Sequence, residues 1–222
     1  MTTPKVTILG LGVKSTQYYI EELHKKYHER YQEYATFPHY VYQSDFNEIN
    51  PFLPNQFDTL IPNLKAILSN VSQLPTQQVL VPNITLHETL DQIETDLKFI
   101  HPVKLTTNYL KSRNLKHVVI FGTSYTMNSN YIKNAFKAEG IQVSEIDKEH
   151  QNDINHLRQH LYAHDVTEIE LAEYIDLVHY YAHKTIVIAC TELSIVNAHL
   201  KPKNSVDMAE LQINEALKLY HI

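Results

Sequence analysis

The chain has 222 residues, of which 43% are hydrophobic and 20% are charged, and its formal net charge is −6. This composition supports a sizeable buried core and excludes intrinsic disorder, and the lack of any apolar run of about 18 residues excludes a membrane-spanning helix. The acidic balance argues against nucleic acid or an anionic membrane as the main partner, because either would require a basic surface. We therefore expect a small-molecule ligand, and the first residues, which resemble no secretory leader, predict a cytoplasmic protein.

Six short apolar segments rich in β-branched residues predict strands, and eight helical patterns lie mostly between them. The strands are predicted at residues 6–9, 40–42, 79–81, 118–121, 141–143 and 185–188. The helices are predicted at about residues 15–34, 57–70, 86–97, 106–114, 128–139, 150–163, 166–183 and 207–220. Nearly all-apolar strands that alternate with helices are typical of parallel sheets covered on both faces, so we predict an α/β fold.

Short local signals predict where some of these helices begin and end. Thr85-x-x-Glu88 and Thr167-x-x-Glu170 predict capping boxes, and Gly140 predicts a helix end. Glycine is scarce, with 4 in the chain against roughly 15 at the average frequency. We expect the remaining glycines where the backbone requires them.

An internal repeat links the two most apolar junctions between a strand and the turn that follows it. Val79-Leu-Val-Pro-Asn83 resembles Ile186-Val-Ile-Ala-Cys190, and Asn83 precedes Cys190 by 107 positions. The strands that end in Gly10 and Gly122 form a second similar pair, 112 positions apart. Nearly equal offsets predict two similar lobes.

We assign the first lobe to residues 1–102 plus 206–222 and the second to residues 103–205. Each is predicted to be a parallel sheet flanked by helices, and the repeat predicts that pseudo-twofold symmetry relates them. Ligands of open α/β sheets bind at the carboxyl ends of the strands, so we expect an active-site cleft between the lobes. Asn83 and Cys190 would then stand opposite each other.

Four segments carry motif-like patterns of glycine, hydroxyl and cysteine residues. They are Leu9-Gly10-Leu11-Gly12-Val13-Lys14-Ser15-Thr16, Tyr42-Gln43-Ser44-Asp45-Phe46, Gly122-Thr123-Ser124-Tyr125-Thr126 and Cys190-Thr191-Glu192-Leu193. In this order they resemble the motifs of the cofactor-independent aspartate/glutamate racemases. The resemblance covers about residues 6 to 211 and implies an isomerase that racemises an amino acid without pyridoxal phosphate or another cofactor. It also implies a homodimer.

The resemblance assigns catalysis to Cys190, as an acid/base at the α-carbon of the substrate. It assigns substrate binding to Gly12, Ser44, Thr85, Thr123, Thr126, Thr191 and Glu192. The residues themselves support part of this assignment, because Cys190 follows an apolar strand and precedes a segment that could begin a helix, whose positive end would favour a thiolate. The amides and hydroxyls of Thr85, Thr123, Thr126 and Thr191 could bind the substrate carboxylate and stabilise the negative charge of an enediolate. The alternative is that Cys190 is an inert core residue.

One departure from the family concerns its first cysteine. The family motif Pro-Cys-Asn-Thr-x-His corresponds here to Pro82-Asn83-Ile84-Thr85-Leu86-His87, so Asn83 replaces a catalytic cysteine and Ile84 replaces an asparagine that the family assigns to the substrate carboxylate. An amide does not titrate in the useful range, whereas a thiol can be tuned to do so. Three possibilities follow for the second proton carrier. It is Thr85, directly or through water, or it is His87, or the site has no second carrier.

Two alternatives to a racemase follow from the missing thiol. One is a one-cysteine decarboxylase or isomerase that acts on a small carboxylate and protonates an enediolate from one face. The other is a catalytically degraded protein that binds an amino acid. The position where the family has a lysine that recognises the substrate side chain falls near Tyr162, so the class of amino acid is left open.

Histidine is abundant, with 14 residues, and His156, His160 and His164 share one helix face. A metal site needs further ligands that converge on the same point, and the sequence shows no third ligand type here. We therefore predict a solvated helix face and no metal site.

Overall fold

The computed structural model describes residues 3–220, which form two compact units. Unit 1 contains the chain up to His101 and again from Gln212, and unit 2 contains Pro102–Leu211. Among residues 3–220, no helix is both long and apolar enough to cross a membrane.

Unit 1 is built on a three-stranded parallel sheet with the order β2-β1-β3. Its strands are β1 (Val6–Gly10), β2 (His39–Gln43) and β3 (Gln78–Leu80), and its helices are α1 (Val13–Tyr31), α2 (Phe57–Val71) and α3 (His87–Leu90). Two 3-10 turns, Phe46–Glu48 and Asn50–Phe52, follow β2. Leu9 of β1, Leu64 of α2 and Val79 of β3 belong to one buried cluster, so the helix is held by the apolar side chains of the sheet.

Unit 2 is built on a four-stranded parallel sheet with the order β5-β4-β6-β7. Its strands are β4 (His117–Gly122), β5 (Gln142–Val143), β6 (Thr185–Ala189) and β7 (Ser205–Asp207). Its helices are α4 (Pro102–Ser112), α5 (Ser124–Asn128), α6 (Asn130–Ala138), α7 (Lys148–Ala163), α8 (Glu168–Tyr180) and α9 (Thr191–Leu200). The last helix, α10 (Met208–Lys218), begins in unit 2 and ends in unit 1.

The two sheets repeat one strand order. In unit 1 the first strand lies between the second and the third, and in unit 2 β4 lies in the same way between β5 and β6. The prediction of an α/β fold with two similar lobes is therefore confirmed. Because β3 and β6 are equivalent strands, Asn83 and Cys190 follow equivalent strands of the two sheets.

All six predicted strands are present, and the main differences from the predicted elements concern the helix at 86–97, α9 and β7. The helix predicted at 86–97 is only the single turn of α3. For α9, only the first residues were predicted to be helical. Its buried residues include both apolar and polar side chains, such as Leu193, Ser194 and Asn197, so the sequence lacks the periodic pattern of an amphipathic helix. Strand β7, three residues long, was not predicted.

The capping box at Thr167 is confirmed. The Thr167 hydroxyl accepts a hydrogen bond from the Glu170 amide at 3.2 Å, and the Glu170 carboxylate accepts one from the Thr167 amide at 2.8 Å. The bonds that Thr167 donates lower the pKa of Glu170. Gly140 ends α6 with a φ of 73°, a left-handed conformation that glycine adopts without strain, as predicted.

The capping box predicted at Thr85 and Glu88 is wrong. Helix α3 has no side-chain cap at its first turn. The chain turn before it is held instead by Asn83, whose Oδ1 accepts a hydrogen bond from the Leu86 amide at 3.0 Å. Asn83, two residues before Thr85, therefore provides the side-chain cap that the motif predicted for Thr85.

Candidate functional site

The carboxyl ends of β4 and β6 lie side by side in unit 2. Gly122 pairs with Ala189 at the last position of both strands, so Thr123 and Cys190 follow neighbouring strand ends. A Cβ atom at Gly122 would overlap the Thr126 hydroxyl and lie 2.9 Å from the Ala189 carbonyl oxygen. This close approach explains why one of the few glycines stands here.

Cys190 lies where the apolar face of β6 ends. Side chains alternate along a strand, and Ile186, Ile188 and Cys190 all belong to the buried cluster of unit 2. The Cys190 side chain is only 4% exposed. Its backbone is extended and forms the N-cap of α9, so the thiol lies between the apolar core and the first turn of a helix.

The side-chain partner of the thiol is Glu192 in the first turn of α9, where the Leu193 amide also interacts with the sulfur. Cys190 Sγ donates a hydrogen bond to Glu192 Oε2 at 2.9 Å. Burial raises the pKa of the Cys190 thiol well above its ordinary value, and the negative charge of Glu192 and its hydrogen bond raise it further. The start of α9 does favour the thiolate, as expected, because the Leu193 amide lowers the pKa of Cys190, but burial and Glu192 outweigh it and the group is a neutral thiol.

Arg158 of α7 is the positive charge that acts on this thiol. Its guanidinium lowers the pKa of Cys190, although less than burial and Glu192 raise it. Arg158 Nε is buried and has no hydrogen-bond partner among residues 3–220. An unpaired buried donor of this kind is suited to an anionic ligand.

Ser194 and Asp207 fix the backbone around the thiol. The Ser194 hydroxyl lies 3.1 Å from the Cys190 carbonyl oxygen and 2.9 Å from Asp207 Oδ1, and can donate to either. Asp207 also accepts hydrogen bonds from the amides of Ala209 and Glu210 at the start of α10. Burial raises the pKa of Asp207 to about 6. Asp207 thus serves as a helix cap that joins β7 and α10 to the first turn of α9.

The threonines of unit 2 gather at the same strand ends. Thr123 is the N-cap of α5, and its hydroxyl accepts a hydrogen bond from the Thr126 amide at 3.1 Å. Thr126 is fully buried, and its hydroxyl donates to the Thr123 carbonyl oxygen at 3.2 Å. Thr191 is a buried residue in the first turn of α9. Thr123 is half-buried and is therefore the most open of the three.

Gly12 and Ser44 lie at the corresponding edge of the sheet in unit 1. Gly12 is the N-cap of α1, and its carbonyl oxygen accepts a hydrogen bond from the Thr16 amide at 3.0 Å. Ser44 follows β2, and its amide donates to the Gly10 carbonyl oxygen at 3.0 Å. The structure thus brings Ser44 beside the Gly10 to Gly12 segment, as expected for neighbouring parallel strands.

The segment after β3 contains the residues predicted to replace the first cysteine. Asn83 and Thr85 are half-buried, and the Asn83 amide oxygen is engaged with the Leu86 amide. His87 is fully buried, and its ring donates through Nδ1 to the Asn83 carbonyl oxygen at 2.9 Å. Burial, and then the nearby charge of His101, lower the pKa of His87 to about 3. His87 is therefore neutral near pH 7 and holds the turn.

The sequence did not single out Arg158. A usable signal existed, because the chain has only three arginines, Arg30, Arg113 and Arg158, and arginine is well suited to bind carboxylates. Nothing in the local pattern, however, relates a residue of α7 to the end of β6. That relation depends on the packing of α7 against β4 and α9.

The sequence profile of the family described as Asp/Glu/Hydantoin racemase matches residues 8–216. A search among curated proteins finds no match.

Three solved structures share the fold. A provisionally assigned Asp/Glu racemase from Yersinia pestis is 18% identical with a TM-score of 0.84, and 98% of this chain and 99% of that chain are covered. An aspartate racemase homologue from Pyrococcus horikoshii OT3 is 16% identical with a TM-score of 0.81 over 99% and 100% of the two chains. Picrophilus torridus aspartate racemase is 14% identical with a TM-score of 0.79 over 98% and 94%.

At sequence identities of 14–18%, the structural similarity establishes only the shared fold. The family itself is established by the sequence match, which extends over nearly the whole chain and includes the Cys190 segment at the end of β6. The chain belongs to the Asp/Glu/Hydantoin racemase family.

Proposed function

We propose that the protein is a cofactor-independent enzyme of the racemase type, which moves a proton at the carbon next to a carboxylate and uses Cys190 as its acid/base. The observation that carries the proposal is the hydrogen bond from the Cys190 thiol to Glu192 at 2.9 Å, at the end of β6. A cysteine that served only as core packing would not need a carboxylate beside it, since that contact places charge next to apolar surface.

A neutral thiol with a high pKa has two consequences for this chemistry. It holds its proton near pH 7 and can donate it to an enediolate carbon. Its thiolate, when formed, is a stronger base than an ordinary thiolate. As sulfur takes the α-proton, its own proton passes to Glu192 Oε2, and the electron pair of the broken C–H bond moves into the substrate carboxylate as an enediolate.

Arg158 supplies the positive charge that such a substrate needs. Its guanidinium lies close enough to Cys190 to affect the thiol, and its buried Nε has no partner among the described residues. A substrate carboxylate beside Arg158 would satisfy this donor and place the α-carbon near sulfur. The charge that develops on the enediolate would meet the same guanidinium.

A two-thiol mechanism is not available to this chain, because Cys190 is its single cysteine. Asn83 stands at the position equivalent to Cys190 in unit 1, and its amide oxygen is used by the Leu86 amide. His87 is fully buried and bonded to the Asn83 carbonyl oxygen, so neither Asn83 nor His87 offers a second proton carrier. We therefore propose proton exchange that is fast on the face of Cys190 and slow on the opposite face.

A second candidate reaction is supported by the protonated state of Cys190. A neutral thiol is poised to donate, so the same site suits a decarboxylase that loses CO₂ from a geminal dicarboxylate and then protonates the enediolate from one face. Release of CO₂ from substituted malonates, without α-proton exchange of any amino acid, would select this reaction over the first.

Exchange in deuterium oxide tests the main proposal. Acidic, neutral and basic amino acids are incubated with the protein, and the α-proton signal is followed by NMR. We expect loss of the signal for at least one of them, and a decrease of roughly 10²–10⁴-fold in Cys190→Ser, because a hydroxyl is a far weaker base than a thiolate. Full activity of folded Cys190→Ser, or no exchange of any amino acid by the wild-type protein, would contradict the proposal.

The role of Glu192 can be measured on the thiol itself. Cys190 is the single cysteine of the chain, so ¹³C-labelled cysteine gives one Cβ signal whose shift reports the thiol and the thiolate. Glu192 raises the pKa of Cys190. We therefore expect Glu192→Gln to titrate at lower pH than the wild type, while Glu149→Gln, an exposed control on α7, should not change the titration. Identical titration of Glu192→Gln and the wild type would rule out this coupling.

The role of Arg158 is tested by the kinetics of exchange. Hydrogen bonds to charged groups contribute about 1.5–3 kcal/mol, so Arg158→Gln should raise the KM of a carboxylate substrate on the order of tenfold or more, with a smaller change in kcat. Arg158→Lys should recover part of the loss, and Arg113→Gln, outside this site, should behave as the wild type. Unchanged KM in Arg158→Gln would remove Arg158 from substrate binding.

A further inference from the structure

Two histidines of α7 and one glutamate of α8 converge in unit 2. His156 and His160 are one helical turn apart, and Glu170 lies in the first turn of α8, which packs against α7. His156 Nδ1 lies 3.3 Å from Glu170 Oε1, and His160 Nδ1 contacts the same oxygen. One possible ligand atom from each residue lies within 4.8 Å of the other two. Glu170 is the third ligand type that the histidine spacing alone did not reveal.

The capping box holds the Glu170 carboxylate in position. Oε2 accepts hydrogen bonds from the Thr167 amide and hydroxyl, both at 2.8 Å, and Oε1 is directed at the two imidazoles. Glu170 Oε1 and His160 Nδ1 are shielded from solvent, and outside the cluster neither has a partner among residues 3–220. Hydrogen bonds of the kind made by Oε2 orient the carboxylates that bind metals.

The space beside the cluster is small, and three carboxylate residues contribute to its lining. A cavity of about 40 Å³ is lined by His156, Glu170 and the carboxylate residues Asp153 and Glu173, and also by Leu157, Tyr174 and Leu177. A water needs roughly 10–15 Å³ of such space, so at least one fits next to the cluster. The surrounding carboxylates favour a cation over an anion.

We propose that His156, His160 and Glu170 bind a divalent cation of the late first transition series. Two imidazole nitrogens and one carboxylate oxygen are donors that Zn²⁺ prefers, and a water in the adjoining cavity supplies a fourth ligand. Ligand atoms about 2.0–2.1 Å from a tetrahedral zinc lie roughly 3.3 Å from each other. His156 Nδ1 and Glu170 Oε1 are 3.3 Å apart. The ion joins α7 to α8 and stabilises the folded state by binding to it.

This site is separate from the proposed chemistry. Arg158 faces a different side of α7 from His156 and His160, since it is two residues from each. His164 does not take part, because it ends α7 in a left-handed conformation as the C-cap. The ion therefore acts as a clamp between two helices, and no proton transfer at Cys190 depends on it.

Calorimetric titration with zinc sulfate tests the proposal on the full chain after removal of metal with a chelator. We expect saturable binding of one ion, weakened by about 10-fold or more in His160→Ala and in Glu170→Gln, because each removes a ligand. Glutamine also serves at this position of a capping box, so Glu170→Gln keeps the helix start. His179→Ala, an exposed histidine of α8 outside the cluster, is the matched control and should bind as the wild type.

Thermal unfolding gives a second measurement. Zinc should raise the Tm of the wild type and of His179→Ala, and should raise it little or not at all in the two ligand variants. Equal binding by the wild type and both ligand variants would place the ion elsewhere and overturn the proposal. Absence of saturable binding by the wild type, or an equal loss in His179→Ala, would overturn it as well.

Discussion

The chemistry of the candidate site depends on one contact, the hydrogen bond that the buried Cys190 thiol donates to Glu192. The alternation of β6 directs Cys190 to the same face as Ile186 and Ile188, so the sulfur lies against the core of unit 2. The turn into α9 then places a carboxylate beside it. Low polarity on one side and negative charge on the other both favour the neutral thiol, and together they outweigh the Leu193 amide and Arg158.

The internal repeat identifies Asn83 as the residue at the position equivalent to this thiol. Both sheets place their first strand between their second and third, and Asn83 and Cys190 follow the equivalent third strands. In unit 2 the residue at this position is a thiol that donates a hydrogen bond to a carboxylate. In unit 1 the amide of Asn83 holds the turn before α3, a role that an amide oxygen fulfils without titrating. The same topological position thus holds a titratable thiol in one unit and a structural amide in the other.

The sequence predicted the fold well because its strands are short, apolar and bounded by glycine or a polar turn, and these signals are local. It predicted the capping box at Thr167 but the wrong cap for α3, since Asn83 lay within reach of the same turn. The protonation state of Cys190 was predicted in the wrong direction, because the helix end is visible in the sequence and the depth of burial is not. Arg158 and Glu170 were missed as partners because both depend on how α7 packs against its neighbours.

The central claim, that one thiol carries the proton and its counterpart position cannot, is tested most directly by offering each enantiomer of a substrate separately in deuterium oxide. Hydrogen at the α-carbon is followed by NMR and configuration by chiral chromatography. The account predicts that one enantiomer exchanges its α-proton with retention of configuration, much faster than it is inverted, while the other exchanges slowly. Comparable exchange of both enantiomers, with inversion accompanying each exchange, would contradict it.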